Sequence, residues 1–282
     1  MRIGVDIGGT FIKAGIVDDG KILRKFSFPT ESHRGQRTVI NNILKCIREL
    51  YGNGITSIGI GSAGSIEHKT GTLISCANLP LRHVTFPEII KKEFPIPVFV
   101  GNDADCFAWG EFLYGAGKGS RTMIGITLGT GIGSGVVLNG KIHTGRDMAA
   151  ELGHTIIDFN GEKCNCGKKG HLEAYIGTKG IQKRFGRNVS PEEIFNLAMK
   201  GNKKAKKTWE ETGKYLGIGI VNFIHSYDPD VVVIGGNVAK AWKFFSKSML
   251  ETVRKQSLMP KTPIVRAKLE DAGVIGAAEL ID

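Results

Sequence analysis

The sequence predicts an α/β protein made of two related lobes with a cleft between them. Strand patterns alternate with helical patterns along the chain, and its 282 residues exceed the ~250 at which a single core usually stops growing. An internal repeat supports the division: GTFIKAGIVDDGKIL at 9–23 aligns without a gap with GTGIGSGVVLNGKIH at 129–143, and eight of the fifteen positions are identical. Each lobe is therefore expected to begin with the same supersecondary unit.

The repeated unit consists of a strand, a Gly-Thr turn, a second strand and a tight reversal. The reversals are Asp19-Gly20 and Asn139-Gly140, dipeptides typical of type I′ turns because both central positions have positive φ. The patterns that follow predict these further elements in chain order: a helix over 37–52, strands over 55–64 and 95–103, helices over 104–115, 191–201 and 209–227, a buried strand over 229–236, and helices over 238–255 and 272–281.

Length and composition suggest the domain plan and exclude some classes of function. We expect an N-terminal lobe of residues 1–108 and a larger C-terminal lobe of residues 109–270, with the C-terminal segment 271–282 packing back on the first lobe.

No run approaches the roughly 18 apolar residues of a membrane helix, and an odd count of five cysteines fits a reducing compartment. We therefore expect a cytoplasmic protein without membrane contact. The net charge of +11 is widely spread, which favours attraction of a polyphosphate nucleotide over nucleic-acid binding.

The Gly-Thr turn of each copy has the composition of a phosphate-binding loop. Glycines let backbone N–H groups approach an anion, and threonine adds a hydroxyl. The first turn, DIGGT, comprises Asp6, Gly8, Gly9 and Thr10, and the second, TLGTGIG, offers Gly129, Thr130, Gly131 and Gly133. Ile126 replaces the acid of the first copy, so only the first half could help hold a metal ion, through Asp6. Taken singly, either turn is better explained as an unliganded hairpin, but their duplication favours phosphate.

These motifs resemble the ROK family (repressors, open reading frames and sugar kinases) of the actin-like ATPase superfamily. A Rossmann fingerprint does not fit, because GTGIGSG leads into a strand, and the chain has no GxxxxGK[ST] P-loop. The resemblance runs from DIGGT to AGVIGAAEL, essentially the full length. It implies a two-lobed actin-like (ribonuclease H-like) fold of duplicated mixed-sheet domains. In that fold ATP phosphates lie between the two turns, and a sugar hydroxyl accepts the γ-phosphoryl group of MgATP.

The resemblance also implies which residues bind the nucleotide. The phosphate-binding residues expected at the first turn are Asp6, Gly8, Gly9, Thr10 and Lys13, and those expected at the second are Thr130, Gly131 and Gly133. Gly235 and Gly236, between the strand DVVVI and a helix, are expected in the adenosine pocket. A plain strand–helix turn is the alternative for this pair.

An apolar strand ends at Asn102-Asp103 and a helix begins directly, a placement typical of ligand sites in α/β proteins. The residues alone leave two interpretations of Asp103 open, a helix N-cap and a general base. The family resemblance favours the catalytic base, with Asn102 holding a sugar hydroxyl. It also implies that Gly64 and Asn78 lie beside the sugar, although a bare turn is the alternative for residues 61–67.

The stretch CNCGKKGH, with a histidine ten residues upstream, predicts a metal site. Its four candidate ligands are His154, Cys164, Cys166 and His171. Zinc takes four such ligands in a closed structural site; unliganded thiols on a polar loop are the alternative. The ROK pattern has a third cysteine where this chain has His171, which leaves open whether His171 is a ligand. In the family Glu151, His154 and Glu173 contact sugar hydroxyls, and a metal in this loop would position them.

We therefore expect an ATP-dependent hexose kinase with Mg²⁺ and structural Zn²⁺ that converts glucose to glucose 6-phosphate in glycolysis. Kinases for N-acetylglucosamine, N-acetylmannosamine, fructose or another hexose are the alternatives, and ELGH favours the glucose and N-acetylglucosamine enzymes by resemblance. A sugar-sensing transcriptional regulator is less favoured, because the strand with Asp6 starts almost at Met1 and leaves no room for a helix-turn-helix. The expected partners are the sugar, ATP and a second copy of the chain in a homodimer.

Overall fold

The computed structural model describes residues 1–148 and 150–280 of the chain. Contacts divide the chain into two compact units. The first contains residues 1–120 together with the described parts of 135–150 and 267–282, and the second contains residues 121–134 and 151–266. Each unit mixes helices and strands, which confirms the predicted α/β class.

The first half of the chain forms β1 (Arg2–Ile7), β2 (Phe11–Asp18), β3 (Lys21–Pro29), α1 (Gln36–Leu50), β4 (Ile58–Ser62), β5 (Ser65–Glu67), β6 (Thr72–Ser75), β7 (Arg82–Thr85), α2 (Phe86–Ile90), β8 (Val98–Asn102) and α3 (Asp103–Tyr114). The second half forms β9 (Met123–Leu128), β10 (Ile132–Leu138), β11 (Lys141–Ile142), α4 (Leu172–Ile176), α5 (Thr178–Phe185), α6 (Pro191–Met199), α7 (Lys203–Tyr227), β12 (Val231–Gly235), α8 (Trp242–Gln256), β13 (Ile264–Arg266) and α9 (Ala272–Ala278). Short 3-10 turns occur at Ser32–Arg34, Leu152–His154 and Asn237–Ala241.

The first unit is built on a sheet with the strand order β3-β2-β1-β4-β8. Strands β1, β2 and β3 run antiparallel, whereas β4 and β8 run parallel to β1. Helix α1 covers one face with Val39, Ile43 and Ile47, which are buried at the spacing of one helix turn. Helix α9 covers the other face at such short range that a Cβ on Gly4 of β1 would overlap the carbonyl oxygen of Val274. A separate small sheet, β5-β6-β7, was not predicted.

The two predicted hairpin reversals are confirmed. Asp19 and Gly20 have φ of 44° and 70°, and Asn139 and Gly140 have φ of 52° and 78°, as a type I′ turn requires. The first reversal joins β2 to β3 and the second joins β10 to β11, both as antiparallel pairs. A side chain at Gly20 would also overlap the ring of Tyr114, so glycine is needed there for space as well as for its backbone.

The second unit contains the parallel strands β9, β12 and β13 and the long helices α7 and α8. Strand β12 is buried along its whole length, as predicted. Helix α7 begins at Lys203 rather than at Trp209, because the Asn202 side chain accepts a hydrogen bond from the N–H of Ala205 (2.9 Å) and caps an earlier start. The predicted helix over 238–255 begins as the 3-10 turn Asn237–Ala241 and continues as α8.

Within residues 1–148 and 150–280, no helix combines the length and the apolar character needed to cross a membrane.

Candidate functional site

The first Gly-Thr turn, residues 8–10, joins β1 to β2. The N–H of Gly8 donates to the carbonyl of Phe11 (3.0 Å) and closes the turn. The buried Thr30, directly after β3, holds the turn from one side: its hydroxyl donates to the Gly8 carbonyl (2.7 Å) and its N–H to the Thr10 carbonyl (2.9 Å). Gly9 and Thr10 are exposed, and a Cβ on Gly9 would meet nothing within 4 Å. The turn is therefore fixed through its carbonyls and open at its tip.

Asp6 lies near the end of β1, before this turn. Burial and, secondarily, the carboxylate of Asp103 raise the pKa of Asp6 to about 6; Lys13 opposes the shift and Asp271 adds to it. Asp6 faces Lys13 across the β1–β2 pair. The structure thus brings the predicted phosphate-turn acid and the predicted catalytic base into one electrostatic environment in the first unit.

Lys13 has a partner that the sequence analysis missed. Its Nζ lies 3.3 Å from Oδ1 of Asp271, and Nζ of Lys25 lies 3.3 Å from Oδ2 of the same carboxylate. Asp271 directly precedes α9, yet its side chain makes no capping hydrogen bond to that helix. The carboxylate instead binds two lysine side chains, Lys13 of β2 and Lys25 of β3, and Lys13 is the one that faces Asp6.

Helix α3 begins at Asp103, and its N-cap is Asn102 rather than Asp103. The Asn102 Oδ1 accepts from the N–H of Ala104 (2.8 Å), and Asp103 Oδ1 also accepts from that N–H (2.9 Å). The Asn102 amide also donates to the Gly64 carbonyl (3.2 Å), which ties the end of β8 to the turn after β4. The capping role left open for Asp103 therefore falls mainly on its neighbour.

Gly64 and Asn78 lie in different surroundings. Gly64 has φ of 108°, and a Cβ there would overlap the carbonyl of Ser75, so its backbone position requires glycine. Asn78 is exposed in a bend between β6 and β7. Their contact with a sugar stays a prediction.

The second Gly-Thr turn, residues 129–131, joins β9 to β10 and is also held by a threonine. The N–H of Gly129 donates to the Gly131 carbonyl (3.0 Å). Thr178, the first residue of α5, donates its N–H to the Thr130 carbonyl (3.1 Å) and its hydroxyl to the Gly129 carbonyl (3.1 Å). Gly133 follows in β10. In each turn a threonine hydroxyl and N–H thus hold two carbonyls, those of Gly8 and Thr10 in the first and those of Gly129 and Thr130 in the second.

Four nitrogen and sulfur ligands come together in the metal loop, residues 154–171 of the second unit. The candidate ligand atoms of His154, Cys164, Cys166 and His171 all lie within 4.8 Å of one another. Cys166 Sγ is 3.2 Å from His171 Nδ1, and Cys164 Sγ is 3.7 Å from His154 Nδ1. Ligands of a tetrahedral zinc ion lie roughly 3.3–3.8 Å apart, given its bonds of about 2.0–2.3 Å. The donor set and its spacing therefore fit zinc, with His171 in the place of a third thiolate.

Two of the four candidate ligands, Cys164 and His171, are buried. Burial raises the pKa of Cys164 to about 12, and burial, followed by the neighbouring His154, lowers the pKa of His171. The neutral imidazole is the form that binds metal, whereas the thiol must lose its proton to do so. A cation in the loop would stabilise that thiolate.

Both predicted sugar-binding glutamates lie beside the metal loop. Glu151 precedes the 3-10 turn Leu152–His154, and its Oε2 is 3.9 Å from His154 Nε2. Glu173 accepts from Cys164 Sγ (3.2 Å) through Oε1 and from the N–H of Ile132 (3.1 Å) through Oε2. Glu173 therefore connects the loop to the end of the second Gly-Thr turn.

Gly235 ends β12, and Gly236 follows with φ of 86°. A Cβ on Gly236 would overlap the carbonyl oxygen of Leu128, the last residue before the second Gly-Thr turn. Glycine is therefore required here for the close approach of two strand ends, whether or not a nucleotide binds.

Thr30, Thr178 and Asp271 are parts of these sites that no motif in the sequence indicates. The hydroxyls of the two threonines reach carbonyls 22 and 49 residues away, and Asp271 lies 258 residues from Lys13. The only sequence signal for Asp271 is its position directly before the apolar run AGVIGAAEL.

Comparison with known proteins gives one consistent family. The model of the ROK family matches residues 2–282. A glucokinase of Thermotoga maritima is 35% identical over 306 aligned residues, which cover 99% of this chain and 96% of that protein. A ROK family glucokinase of Streptomyces griseus, solved in complex with glucose and AMPPNP, has a TM-score of 0.87 at 29% identity and covers 99% of this chain and 98% of its own. A ROK hexokinase of Thermus thermophilus has a TM-score of 0.83 at 32% identity, covering 98% and 96%.

These likenesses confirm the predicted actin-like ATPase fold class, and the chain belongs to the ROK family.

Proposed function

We propose that this chain is an ATP-dependent hexose kinase that transfers the γ-phosphoryl group of MgATP to the 6-hydroxyl of glucose. The observation that carries the proposal is the position of Asp103, which starts α3 and acts electrostatically on Asp6 in the unit that holds the first Gly-Thr turn. The glucokinases of Thermotoga maritima and Streptomyces griseus, similar over nearly their full lengths, support both the reaction and the sugar.

Asp103 is the proposed general base. Phosphoryl transfer leaves little covalent chemistry to the protein, so alignment and charge stabilisation supply most of the rate. A carboxylate beside the attacking hydroxyl orients it and accepts its proton. We propose that three further residues contact the sugar near this carboxylate: Asn102, Gly64 and Asn78.

The two Gly-Thr turns are proposed to bind the phosphates of ATP, and Gly235 and Gly236 are proposed to bind the adenosine. Backbone N–H groups suit phosphate oxygens because the turn holds their partial positive charges in a fixed orientation. Lys13 adds a positive charge beside Asp6. Mg²⁺ bound with ATP would neutralise charge on the transferring phosphate.

Zinc is proposed as a structural ion held by His154, Cys164, Cys166 and His171. Four protein ligands leave no open position for water or substrate, so the ion would fix geometry rather than take part in catalysis. The side chains that it would position are Glu151 and Glu173, together with the ligand His154, and we propose that these contact sugar hydroxyls. We further propose a cytoplasmic homodimer that acts in glycolysis.

The test is ADP release measured with a panel of hexoses and N-acetylhexosamines, using wild type, Asp103→Asn and Asp18→Asn. We expect glucose to give the highest kcat/KM. Asp103→Asn should lose about two to four decades of turnover while calorimetry shows unchanged binding of glucose and nucleotide. Asp18, a carboxylate whose side chain is 59% exposed, is the matched control and should leave turnover unchanged.

Each alternative outcome removes a different part of the proposal. Near-normal turnover of Asp103→Asn would exclude Asp103 as the base. A higher kcat/KM for another sugar would change the substrate and leave the reaction class intact. Absence of ADP release with every sugar would refute kinase activity.

A further inference from the structure

We propose that Thr30 and Thr178 are positioning residues, which direct the N–H groups of the two Gly-Thr turns toward the polyphosphate of the nucleotide. The inference rests on the proposed function, because it assumes that these turns bind phosphate. Neither threonine belongs to the glycine-rich motifs, and each acts on the ligand only through the turn that it holds.

Each threonine holds two carbonyls of its turn, one with its hydroxyl and one with its N–H, and the held residues are two apart in the first turn and adjacent in the second. The hydroxyl of Thr30 donates to the Gly8 carbonyl (2.7 Å) while its N–H donates to the Thr10 carbonyl (2.9 Å). The hydroxyl of Thr178 donates to the Gly129 carbonyl (3.1 Å) while its N–H donates to the Thr130 carbonyl (3.1 Å). Two carbonyls of each turn are therefore drawn toward one threonine.

Planarity of the peptide unit fixes where the N–H groups must point. In a trans peptide the carbonyl of one residue and the N–H of the next lie in one plane and point in opposite directions. When Thr30 holds the Gly8 carbonyl, the N–H of Gly9 is directed away from Thr30. When Thr178 holds the carbonyls of Gly129 and Thr130, the N–H groups of Thr130 and Gly131 are directed away from Thr178. Each threonine thus presents amide hydrogens on the opposite side of the turn, as an anion site needs.

The repeat by itself does not account for this arrangement. The two turns match at an offset of 120 residues, but the two threonines are not equivalent: Thr30 follows β3 in a loop, whereas Thr178 begins α5. Two halves with different connections therefore each hold their turn through a threonine hydroxyl and N–H, although the hydroxyl-bonded Gly8 aligns in the repeat with Leu128 and not with Gly129. A requirement common to both turns explains this coincidence better than inheritance from one ancestral hairpin.

Each threonine is itself fixed by a helix. The amide of the buried Asn42, on α1, donates to the carbonyls of Pro29 (3.1 Å) and Thr30 (3.4 Å). Thr178 is held at the start of α5 by the preceding Gly177, whose N–H donates to the Glu173 carbonyl (2.9 Å). Each of the two threonines that hold the turns is therefore anchored by a hydrogen bond to a residue of a helix, to α1 for Thr30 and, through the neighbouring Gly177, to α4 for Thr178.

The test compares Thr30→Val, Thr178→Val and the matching serine variants. Valine keeps the shape and the backbone N–H bond but removes the hydroxyl donor, whereas serine keeps the donor. Loss of one hydrogen bond corresponds to about five- to tenfold in an equilibrium constant. We expect each valine variant to raise the KM for MgATP and the Kd for the nucleotide by about that factor, with the KM for the sugar unchanged. Each serine variant should return to within about twofold of wild type.

Thr252→Val is the matched control, because its hydroxyl also donates to a backbone carbonyl, that of Ser248 (2.9 Å) in α8, away from either turn. It should leave both KM values unchanged. Thr178 is only half-buried, so Thr178→Val gives a result even if the buried Thr30→Val variant does not fold.

Three outcomes would overturn the inference. Unchanged nucleotide affinity in Thr178→Val shows that the hydroxyl does not position the turn. Equal loss for MgATP and sugar, or no rescue by serine, indicates a structural role only. If the wild-type protein binds no MgATP, both this inference and the proposed function are refuted. The first two outcomes overturn only this inference, because they are seen in variants while the wild type binds MgATP.

Discussion

Replacing Asp6 by asparagine should stabilise the free protein at neutral pH. The folded state raises the pKa of Asp6 from its ordinary 3.8 to about 6, first through burial and then through the Asp103 carboxylate. The folded protein therefore holds this proton more tightly than the unfolded chain does, and stability falls as pH rises from about 3.8 through 6. At about 1.4 kcal/mol per unit of pKa shift, the raised pKa of Asp6 lowers the free energy of unfolding by about 3 kcal/mol at pH 7.5. Asparagine keeps the shape and removes the charge.

The assay is urea denaturation in buffer without Mg²⁺ and nucleotide, at pH 7.5 and at pH 5. Asp6→Asn should raise the free energy of unfolding by up to about 3 kcal/mol at pH 7.5 and by about half of that at pH 5. Turnover should fall, because the Asp6 carboxylate that destabilises the free protein is also the group expected to act at the first Gly-Thr turn when the nucleotide binds. Asp18→Asn, at an exposed carboxylate, is the control. A variant no more stable than wild type at pH 7.5, or a gain that does not change with pH, would refute the reasoning.

Three further predictions concern the scaffold and the metal loop. Glu111→Ala should destabilise the protein by about 3–5 kcal/mol in urea, and Glu111→Gln by less, because this fully buried carboxylate accepts hydrogen bonds from the backbone N–H groups of Ala116, Lys268 and Leu269. Ala150→Gly should stabilise the chain by up to about 1 kcal/mol in thermal unfolding, since Ala150 has φ of 66°; an unchanged midpoint would contradict this. Chelation should remove one zinc ion per chain and lower both thermal stability and sugar affinity, and unchanged sugar affinity in a verified zinc-free sample would contradict the proposed positioning role.

The features that the sequence predicted are those with local causes. Asp19-Gly20 and Asn139-Gly140 adopt type I′ geometry because positive φ is available to those residues wherever they occur. Strand β12 was recognisable from its continuous apolar run, which the structure buries completely. The four metal-loop residues were found from their chemistry and spacing, and the structure brings their ligand atoms together.

The features that the sequence did not predict depend on contacts between distant residues. Strands β5, β6 and β7 have only three or four residues each, too few to show a period of two. Thr30 and Thr178 are ordinary threonines until the turns lie against them. Asp271 precedes a helix as a capping residue would, but its carboxylate instead binds Lys13 and Lys25. The pattern of apolar residues contains no information on such pairs.

The metal loop and the second Gly-Thr turn are mechanically connected, which widens the expected effect of zinc. Glu173 accepts from Cys164 Sγ and from the N–H of Ile132, so one carboxylate links a metal ligand to the residue after the turn. Its carbonyl also accepts from Gly177, next to the Thr178 that holds the same turn. Displacement of Cys164 on metal loss therefore disturbs the turn by two routes. Zinc-free protein should accordingly show a higher KM for MgATP as well as for the sugar, whereas a change confined to the sugar would show that the loop and the turn act independently.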